Sequence, residues 1–334
     1  RLEYANDTAA TIFRTYRSVS NQVYSGGAAS NSSYGYFAGG GQNGVAGCTT
    51  MDRVDYANDT ATAVAKGPLS AANTYGIKAT GSSNFAYWSG GTGGSGPAPG
   101  ARSTTDRLDY SSDTTAMAPK GPLTHGSYGH DAESSRANNL PTEDIYSTTA
   151  SGVSGTRHSG GTDFGYWAGN ELGTEICRID YGNDTVTSIK GYLTATGKYK
   201  ATVSNLNYGY VAGGGSPSTS RVDRIDYAND SATAITKGPI SSPSRDQFAG
   251  AGNQDYGYLG GGGPGITIVD RIDYSNDTAT ALARGPLSYG SRCNSAVGNP
   301  HYGYWGAMKN PSSGAQSTID RVDYSSDTST SVLK

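Results

Sequence analysis

One eleven-residue motif recurs seven times along the chain and limits the folds available to it. Its fullest form is Asp-Arg-Ile-Asp-Tyr-Ser-Asn-Asp-Thr-Ala-Thr, at Asp270–Thr280. Near copies lie at Arg1–Thr8, Asp52–Thr62, Asp106–Thr115, Cys177–Thr187, Asp223–Thr233 and Asp320–Thr330. The tyrosines of successive copies are 52, 54, 71, 46, 47 and 50 residues apart. A period near 40–50 residues is typical of the blades of a β-propeller.

Two further motifs alternate with the first. One is an aromatic run that ends in glycine, and its copies begin at Tyr34, Phe85, Phe164, Tyr208, Tyr256 and Tyr302. The other is Gly-Pro-Leu or Gly-Pro-Ile, at Gly67–Leu69, Gly121–Leu123, Gly238–Ile240 and Gly285–Leu287, with a variant at Gly191. Together the three motifs divide each unit into four short segments.

The order of these segments predicts a repeating meander of strands a, b, c and d. We expect strand a after Gly-Pro-Leu, as in Thr74–Thr80, and strand b at the aromatic run. In strand c, alternation places Arg271 and Asp273 on one face and Ile272 on the other. The Asn-Asp pair predicts a tight turn into strand d at Thr278–Ala281. The predicted fold is an all-β propeller of four-stranded antiparallel blades, in a single domain over residues 1–334.

The composition favours thin β layers over one thick core. Glycine accounts for 49 of 334 residues and tyrosine for 25, while hydrophobic residues make up only 34%. Tyr, Thr and Val suit strands, and Gly and Ser suit tight turns. We therefore expect many thin layers, each buried by its neighbour, with tyrosine supplying much of the apolar area.

Charge, hydropathy and cysteine content argue against several kinds of partner or site. The formal net charge of −3 gives no basic excess for a nucleic-acid partner. No apolar run approaches the ~18 residues of a membrane span. The cysteines Cys48, Cys177 and Cys293 are odd in number and lack paired spacing, so we expect free, mostly buried thiols. No cofactor is expected.

Two parts of the chain depart from the repeat. One unit is longer by about 25 residues, which we interpret as a long loop inserted at 124–160 near strand a. Residues 1–17 carry strands c and d alone, so seven c–d pairs stand against six a–b pairs. This favours seven blades, with the first completed by residues outside 1–334 or by a neighbouring molecule. Six blades with an extra N-terminal hairpin is the alternative.

Strand c carries an arginine and an aspartate two residues apart in six units. The pairs are Arg53/Asp55, Arg107/Asp109, Arg178/Asp180, Arg224/Asp226, Arg271/Asp273 and Arg321/Asp323. A ring of ligand sites is one interpretation. Because a binding site usually breaks symmetry and these pairs do not, we favour a structural ladder within or between blades that sets blade register.

Other candidate sites rest on weaker patterns. The Asn-Asp-Thr/Ser turns match the N-glycosylation sequon and carry carboxylates, but turn chemistry accounts for them without a glycan or calcium. Trp88, Trp167 and Trp305 are candidates for stacking on sugar rings. Because they lie inside strand b, packing between blades is the other interpretation, and we favour it. His125, His130 and His158 lie in the long insertion and are weak candidates for a transition-metal site. No metal site is expected.

The order of the motifs resembles the kelch repeat, in which a di-glycine ends the second strand. The chain departs from kelch by lacking the usual Trp of strand d. The residue sequence of its repeats more closely resembles repeat proteins of marine cyanobacterial myophages. Examples are Tyr-Gly-Tyr-Phe-Ala-Gly-Gly at Tyr34 and Val-Asp-Arg-Ile-Asp-Tyr at Val269. Those phage proteins resemble virion structural or fibre-associated proteins. The resemblance covers nearly the whole chain except 124–160.

The resemblance implies a non-enzymatic structural or adhesive propeller, displayed on a phage virion or a similar extracellular assembly. Its partners would be other proteins of the assembly, copies of itself or a cell-surface glycan. The expected contacts are the variable loops Gly39–Cys48, Gly90–Thr105, Gly213–Ser220, Gly260–Ile266 and Lys309–Ser317, with the 124–160 insertion. A secreted carbohydrate-binding lectin is the alternative, and a metal-dependent enzyme on a propeller scaffold is third.

Overall fold

The computed structural model describes residues 23–42, 47–55, 63–93, 100–128, 131–134, 164–183, 188–290, 295–310, 314–315 and 320–333, with gaps at 25, 32, 40, 73–75, 83, 170–172, 182, 216, 242, 264, 299–300 and 307–308. The described residues form six four-stranded antiparallel sheets in which strands a, b, c and d are neighbours in chain order. We number these sheets blade 1 to blade 6 along the chain. The all-β fold and the a–b–c–d meander are confirmed.

The first two strands of each blade are an inner strand and the aromatic run. Strand a comprises Gly27–Ser30, Ile77–Gly81, Asp131–Ser134, Ala201–Ser204, Ala249–Gly252 and Ser295–Gly298. Strand b comprises Tyr34–Ala38, Phe85–Gly90, Phe164–Ala168, Tyr208–Ala212, Tyr256–Gly260 and Tyr302–Gly306. Strands a of successive blades contact one another from blade 1 to blade 6.

The last two strands of each blade flank the repeated motif. Strand c comprises Met51–Asp55, Thr105–Asp109, Glu175–Asp180, Val222–Asp226, Val269–Asp273 and Asp320–Asp323. Strand d comprises Val64–Lys66, Ala118–Lys120, Ser188–Tyr192, Ile235–Thr236, Leu282–Arg284 and Val332–Leu333. Three small ribbons pair Val23–Tyr24 with Gly41–Gln42, Thr92–Gly93 with Gly100–Ala101, and Lys309–Asn310 with Gly314–Ala315.

The link from strand c to strand d is a short 3₁₀ helix and not a two-residue hairpin turn. It is described at Tyr110–Ser112, Tyr227–Asn229, Tyr274–Asn276 and Tyr324–Ser326. In blade 5, Oδ1 of Asp273 accepts a hydrogen bond from the backbone N–H of Ser275 at 2.9 Å. Because this capped turn takes up the following residues, strand d begins at Leu282 and not at Thr278 as predicted.

The long insertion is divided by a strand that the sequence did not predict. Asp131–Ser134 pairs with strand b of blade 3 in the register Asp131↔Ala168, which makes it strand a of that blade. The extra residues 135–163 therefore join strand a to strand b, whereas we expected one loop near strand a over 124–160. Residues 135–163 themselves lie outside the described part of the chain.

Apolar side chains are buried between blades in separate clusters. Tyr210, Leu259 and Ile272 belong to one cluster that joins blades 4 and 5. Corresponding clusters join blades 1 and 2, 2 and 3, 3 and 4, and 5 and 6. This arrangement matches the thin layers expected from the composition.

The glycine of each Gly-Pro-Leu step allows the next blade to come close. A Cβ at Gly285 would overlap the carbonyl oxygen of Ser329, on the c–d link of blade 6. A Cβ at Gly67 or Gly238 would overlap the corresponding carbonyl of Thr115 or Ala279. The step is therefore a crossing point between blades where only glycine fits.

The predicted N-terminal half-blade and the predicted count of seven blades stay predictions. The half-blade, residues 1–17, lies outside the described residues, and the six blades that are described do not decide the total number.

Among the described residues, no helix is long and apolar enough to cross a membrane.

Candidate functional site

At four junctions between neighbouring blades, the contact between charged residues is centred on one turn aspartate. Oδ2 of Asp277, at the end of the blade 5 turn, lies 2.7 Å from Nη1 of Arg224. The same oxygen accepts a hydrogen bond from the hydroxyl of Tyr210 at 3.1 Å. Its other oxygen lies 3.1 Å from Nζ of Lys237. All three partners belong to blade 4, so one carboxylate joins two blades.

The same arrangement recurs at three other junctions. The ion pairs are Arg53–Asp113 at 2.7 Å, Arg178–Asp230 at 2.6 Å and Arg271–Asp327 at 2.7 Å. The tyrosine donors are Tyr36, Tyr166 and Tyr258, at 3.0–3.1 Å from the same aspartates. Each set consists of an arginine and a tyrosine of one blade and the turn aspartate of the next blade. We call it the inter-blade cluster.

Each of these arginines therefore pairs with the turn aspartate of the next blade. It does not pair with the strand-c aspartate two residues after it in the sequence. Arg107 and Arg321 occupy the same strand-c position; the turn aspartate matching Arg107, Asp184, lies outside the described residues. The strand-c aspartates Asp109, Asp226, Asp273 and Asp323 instead cap the 3₁₀ turn of their own blade. Asp55 and Asp180 are partly buried at the equivalent position.

Aromatic rings hold each arginine and tyrosine of the inter-blade cluster in place. The guanidinium of Arg224 lies 4.2 Å from the ring centroid of Tyr208, the first residue of strand b. The equivalent contact occurs in all six blades. The ring of Tyr210 stacks on Tyr274 of blade 5, with centroids 4.9 Å apart. A guanidinium held between a ring and a carboxylate has little freedom to bind a ligand.

At two of the junctions, hydrogen bonds and positive charges around the turn aspartate outweigh the effect of burial on its pKa. Burial raises the pKa of Asp113, but hydrogen bonds from Lys66 and Arg53 and their positive charges leave that pKa below its ordinary value. The same balance lowers the pKa of Asp277, through Lys237 and Arg224. Burial, followed by the nearby Asp277 charge, raises the pKa of the Tyr210 hydroxyl, so it remains a proton donor.

A second carboxylate lies at the start of strand c and faces the preceding blade. Asp106 accepts hydrogen bonds from the backbone N–H and the hydroxyl of Ser70, at 2.9 and 2.6 Å. Asp223 accepts the equivalent bonds from Thr194. In blade 3 this position is Cys177, whose Sγ lies 3.4 Å from Oγ1 of Thr124. Burial raises the pKa of the Cys177 thiol, which disfavours a nucleophilic thiolate.

The variable loops lie on one rim of the fold. Because the strands of a blade alternate in direction, its b–c loop and the d–a link that follows share one rim, and the a–b and c–d links share the other. The loops named from the sequence as variable are b–c loops. We call the rim that carries them the variable rim. The long segment 135–163 begins and ends on the opposite rim.

A cleft opens on the variable rim between blades 2 and 3. It is shallow, and its cavity volume of about 20 Å³ is room for a water-sized group. Its lining includes Leu123 and Thr124 from the d–a link of blade 2, and Trp167, Glu175 and Cys177 from blade 3. It is thus located where the repeat departs from its pattern, at the thiol that replaces an aspartate.

The structure describes one of the three candidate histidines and all three candidate tryptophans. His125 is exposed on the wall of the cleft, while His130 and His158 lie outside the described residues. Among described residues, no group of three His, Cys, Asp or Glu side chains could hold a metal ion. Trp88, Trp167 and Trp305 are at most 2% exposed, so their ring faces are buried between blades and not open for stacking.

Comparison with known proteins supports the fold. No protein-family model matches the sequence, and no curated protein matches it. Among solved structures, the chain is similar to one titled "Structure of YjhT", a β-propeller-type fold, with a TM-score of 0.67 and 12% identity. The match covers 93% of this chain and 97% of that one. At 12% identity the similarity shows a propeller-like fold, and no function follows from it.

Sequence reasoning missed the basic residue that completes the inter-blade cluster. Lys66 and Lys237 lie 3.0 and 3.1 Å from the turn aspartate, and Arg284 occupies the same place. The signal was present, because a basic residue stands directly before the glycine of each of these steps. The turn aspartate itself was noticed only as turn chemistry.

Proposed function

We propose that this chain is a non-enzymatic display scaffold, whose blades hold the variable rim in place for contact with a protein or glycan of an extracellular assembly. A propeller-like fold is consistent with such a scaffold. The observation that carries the proposal is the division of the molecule into a repeated frame and a rim formed by variable b–c loops. The repeated charges are used between blades, and the b–c loops differ in length and composition from one blade to the next.

The assembly that best fits the repeat sequence is a phage virion, because that sequence resembles repeat proteins of marine cyanophages. In that setting the protein would be a structural or fibre-associated subunit. Its partners would be other virion proteins, further copies of the chain or a host surface glycan.

The test is incorporation into particles. The wild-type chain should copurify with virions at fixed stoichiometry, measured by quantitative mass spectrometry. Replacing loop Gly213–Ser220 of blade 4 by the corresponding blade 5 loop, Gly260–Ile266, should reduce incorporation while leaving thermal stability unchanged. The matched control replaces Ser275 by Ala on the opposite rim. A chain absent from particles, or a rim variant that incorporates like the control, contradicts the proposal.

A carbohydrate-binding lectin is the second candidate. The variable rim favours it, because a shallow cleft there, between blades 2 and 3, combines polar groups with apolar walls.

A further inference from the structure

We infer that blade 1 carries a docking surface around Phe37, on the face turned away from blade 2, for a β-hairpin with the a–b sequence of this repeat. A second polypeptide supplies the hairpin. This source rests on the proposed function, since the second polypeptide is a neighbour in the assembly. The surface itself rests on the exposure of Phe37, the burial of Ala63 and the use of the same face at the other junctions.

Phe37 is exposed at a position that is buried in every other described blade. It is the fourth residue of strand b in blade 1 and is 43% exposed. Gly26, next to strand a on the same face, is also exposed, whereas its counterpart Ile77 in blade 2 is buried. The counterparts of Phe37 in blades 2 to 6 are at most 3% exposed, and they are Trp88, Trp167, Val211, Leu259 and Trp305. An exposed ring at a core position marks an interaction surface.

At the other junctions, strands a and b of the preceding blade cover this position. Leu259 of blade 5 belongs to the same buried cluster as Val203 and Tyr210 of blade 4. The indole N–H of Trp88 in blade 2 donates to the carbonyl of Gly27, on strand a of blade 1, at 3.1 Å. The face around Phe37 therefore continues an interface that the chain forms between its own blades, and the matching occupant is an a–b hairpin.

The outer part of the same face is already covered. Ala63, directly before strand d of blade 1, is 6% exposed. Its counterparts Met117 and Ala281 are 3% and 7% exposed, and each lies in the cluster that joins its blade to the preceding one. The exposed area is therefore limited to the inner strands, which is the width of one hairpin.

The described strands do not supply this hairpin. Strands a contact one another from blade 1 to blade 6, and among the described strands no comparable contact joins blade 6 back to blade 1. Each described a–b pair belongs to a four-stranded blade of its own. We therefore assign the hairpin to another polypeptide of the assembly, built from the same repeat.

The a–b pair of blade 4 shows the features of a matching hairpin. Its turn is held by its own residues, because Oδ1 of Asn205 accepts a hydrogen bond from the backbone N–H of Tyr208 at 2.9 Å. A Cβ at Gly257 of blade 5 would overlap a methyl group of Val203, so glycine there makes room for the valine. The corresponding residue of blade 1 is Gly35, which leaves the same room.

The experiment uses Phe37→Trp, which introduces the residue found at this position in three other blades, as a fluorescent reporter. The intact chain is titrated with a synthetic peptide of residues 198–213, which holds both inner strands of blade 4. We expect a saturable blue shift and a higher melting temperature, because the peptide binds the folded chain and covers the ring. A control peptide with Val203→Asp should bind at least about tenfold more weakly. Absence of a blue shift, or equal binding of the two peptides, overturns the inference.

A pair of variants separates the docking surface from the core. Phe37→Ala should lower the melting temperature of the free chain less than Trp305→Ala, because Phe37 is 43% exposed and Trp305 is fully buried. Phe37→Ala should also bind the peptide at least about tenfold more weakly. Equal losses of melting temperature, or unchanged peptide binding, contradict the docking surface.

Cross-linking tests the source of the hairpin. Phe37→p-benzoylphenylalanine, photolysed in purified particles, should cross-link to a second chain. A cross-link within the same chain alone overturns the assignment to another polypeptide. If the chain is absent from particles, the display proposal fails, whereas the peptide titration of the purified chain still decides the docking surface.

Discussion

Arg224 of blade 4 reaches Asp277 of blade 5 at 2.7 Å, across 53 residues of sequence. The contact joins strand c of one blade to the turn of the next, and it recurs at three other junctions. A charged pair used in this way at four junctions belongs to the frame. Function is then expected where the repeats differ, on the variable rim.

Arg271→Ala should destabilise the fold. The substitution leaves Asp327, only 8% exposed, without its shortest ion pair. Removing one partner of a largely buried pair costs about 2–4 kcal/mol, allowing for partial exposure of the arginine. Urea unfolding measures the change. The control is Arg284→Ala, which removes a longer 3.3 Å contact to the same carboxylate and should cost less. An unchanged melting curve for Arg271→Ala would show that the pair does not stabilise blade register.

Asp277→Asn should reduce the pH dependence of stability in acid. Burial alone would raise the pKa of Asp277, but Lys237, Arg224 and Tyr210 leave it below its ordinary value near 3.9. A carboxyl with a lowered pKa stabilises the folded state above its unfolded pKa and loses this effect as pH falls through the folded pKa. Wild type should therefore lose stability below about pH 4 more steeply than the variant. Equal slopes in unfolding experiments from pH 5 to pH 2 count against the assignment.

Gly285→Ala should be among the more damaging small substitutions. The added methyl would overlap the carbonyl oxygen of Ser329, so the two blades must separate locally. Overpacking of this kind costs about 3 kcal/mol. The matched control is Gly100→Ala, where a Cβ would meet nothing within 4 Å. Thermal melts of both variants test the crossing point, and equal melting temperatures contradict it.

Gln247→Gly should not lower stability, and we expect a gain of about 1 kcal/mol. Gln247 has φ of +57°, two residues before strand a of blade 5. The corresponding residue of blade 2 is Gly76, with φ of +77°. Side chains with a Cβ are strained in this region and glycine is not. Gly76→Ala should lose a similar amount. A loss in Gln247→Gly, measured by urea unfolding, argues against backbone strain at this position.

The strands were predictable because the same patterns recur in every unit. Alternation around Arg271 and the aromatic run at Tyr256 each place a strand within a residue or two of its observed bounds. Strand a of blade 3 was missed although Asp131 follows Gly121 by ten residues, as Ile77 follows Gly67. Its sequence, Asp-Ala-Glu-Ser, is mostly polar, and the extra residues were assigned to one loop instead of to the a–b link.

The contacts between blades were only partly predictable. A ladder of repeated charges was expected, but the partner of each arginine depends on how far one blade is displaced from the next. The equivalents of Asp273 and Asp277 both occur in each of the six complete units, and only the three-dimensional structure distinguishes the partner from the turn cap. The cleft was not predictable, because its lining comes from the d–a link of blade 2 and from strands b and c of blade 3.

A double-mutant cycle on Arg224 and Asp277 tests most directly whether the repeated charges belong to the frame. The free energy of unfolding is measured for wild type, Arg224→Ala, Asp277→Ala and the double variant. The structure predicts a coupling energy of about 1–3 kcal/mol, with the double variant less damaged than the sum of the single ones. Additive effects, with no coupling, would contradict the inter-blade cluster. The repeated charges would then again be candidates for ligand sites.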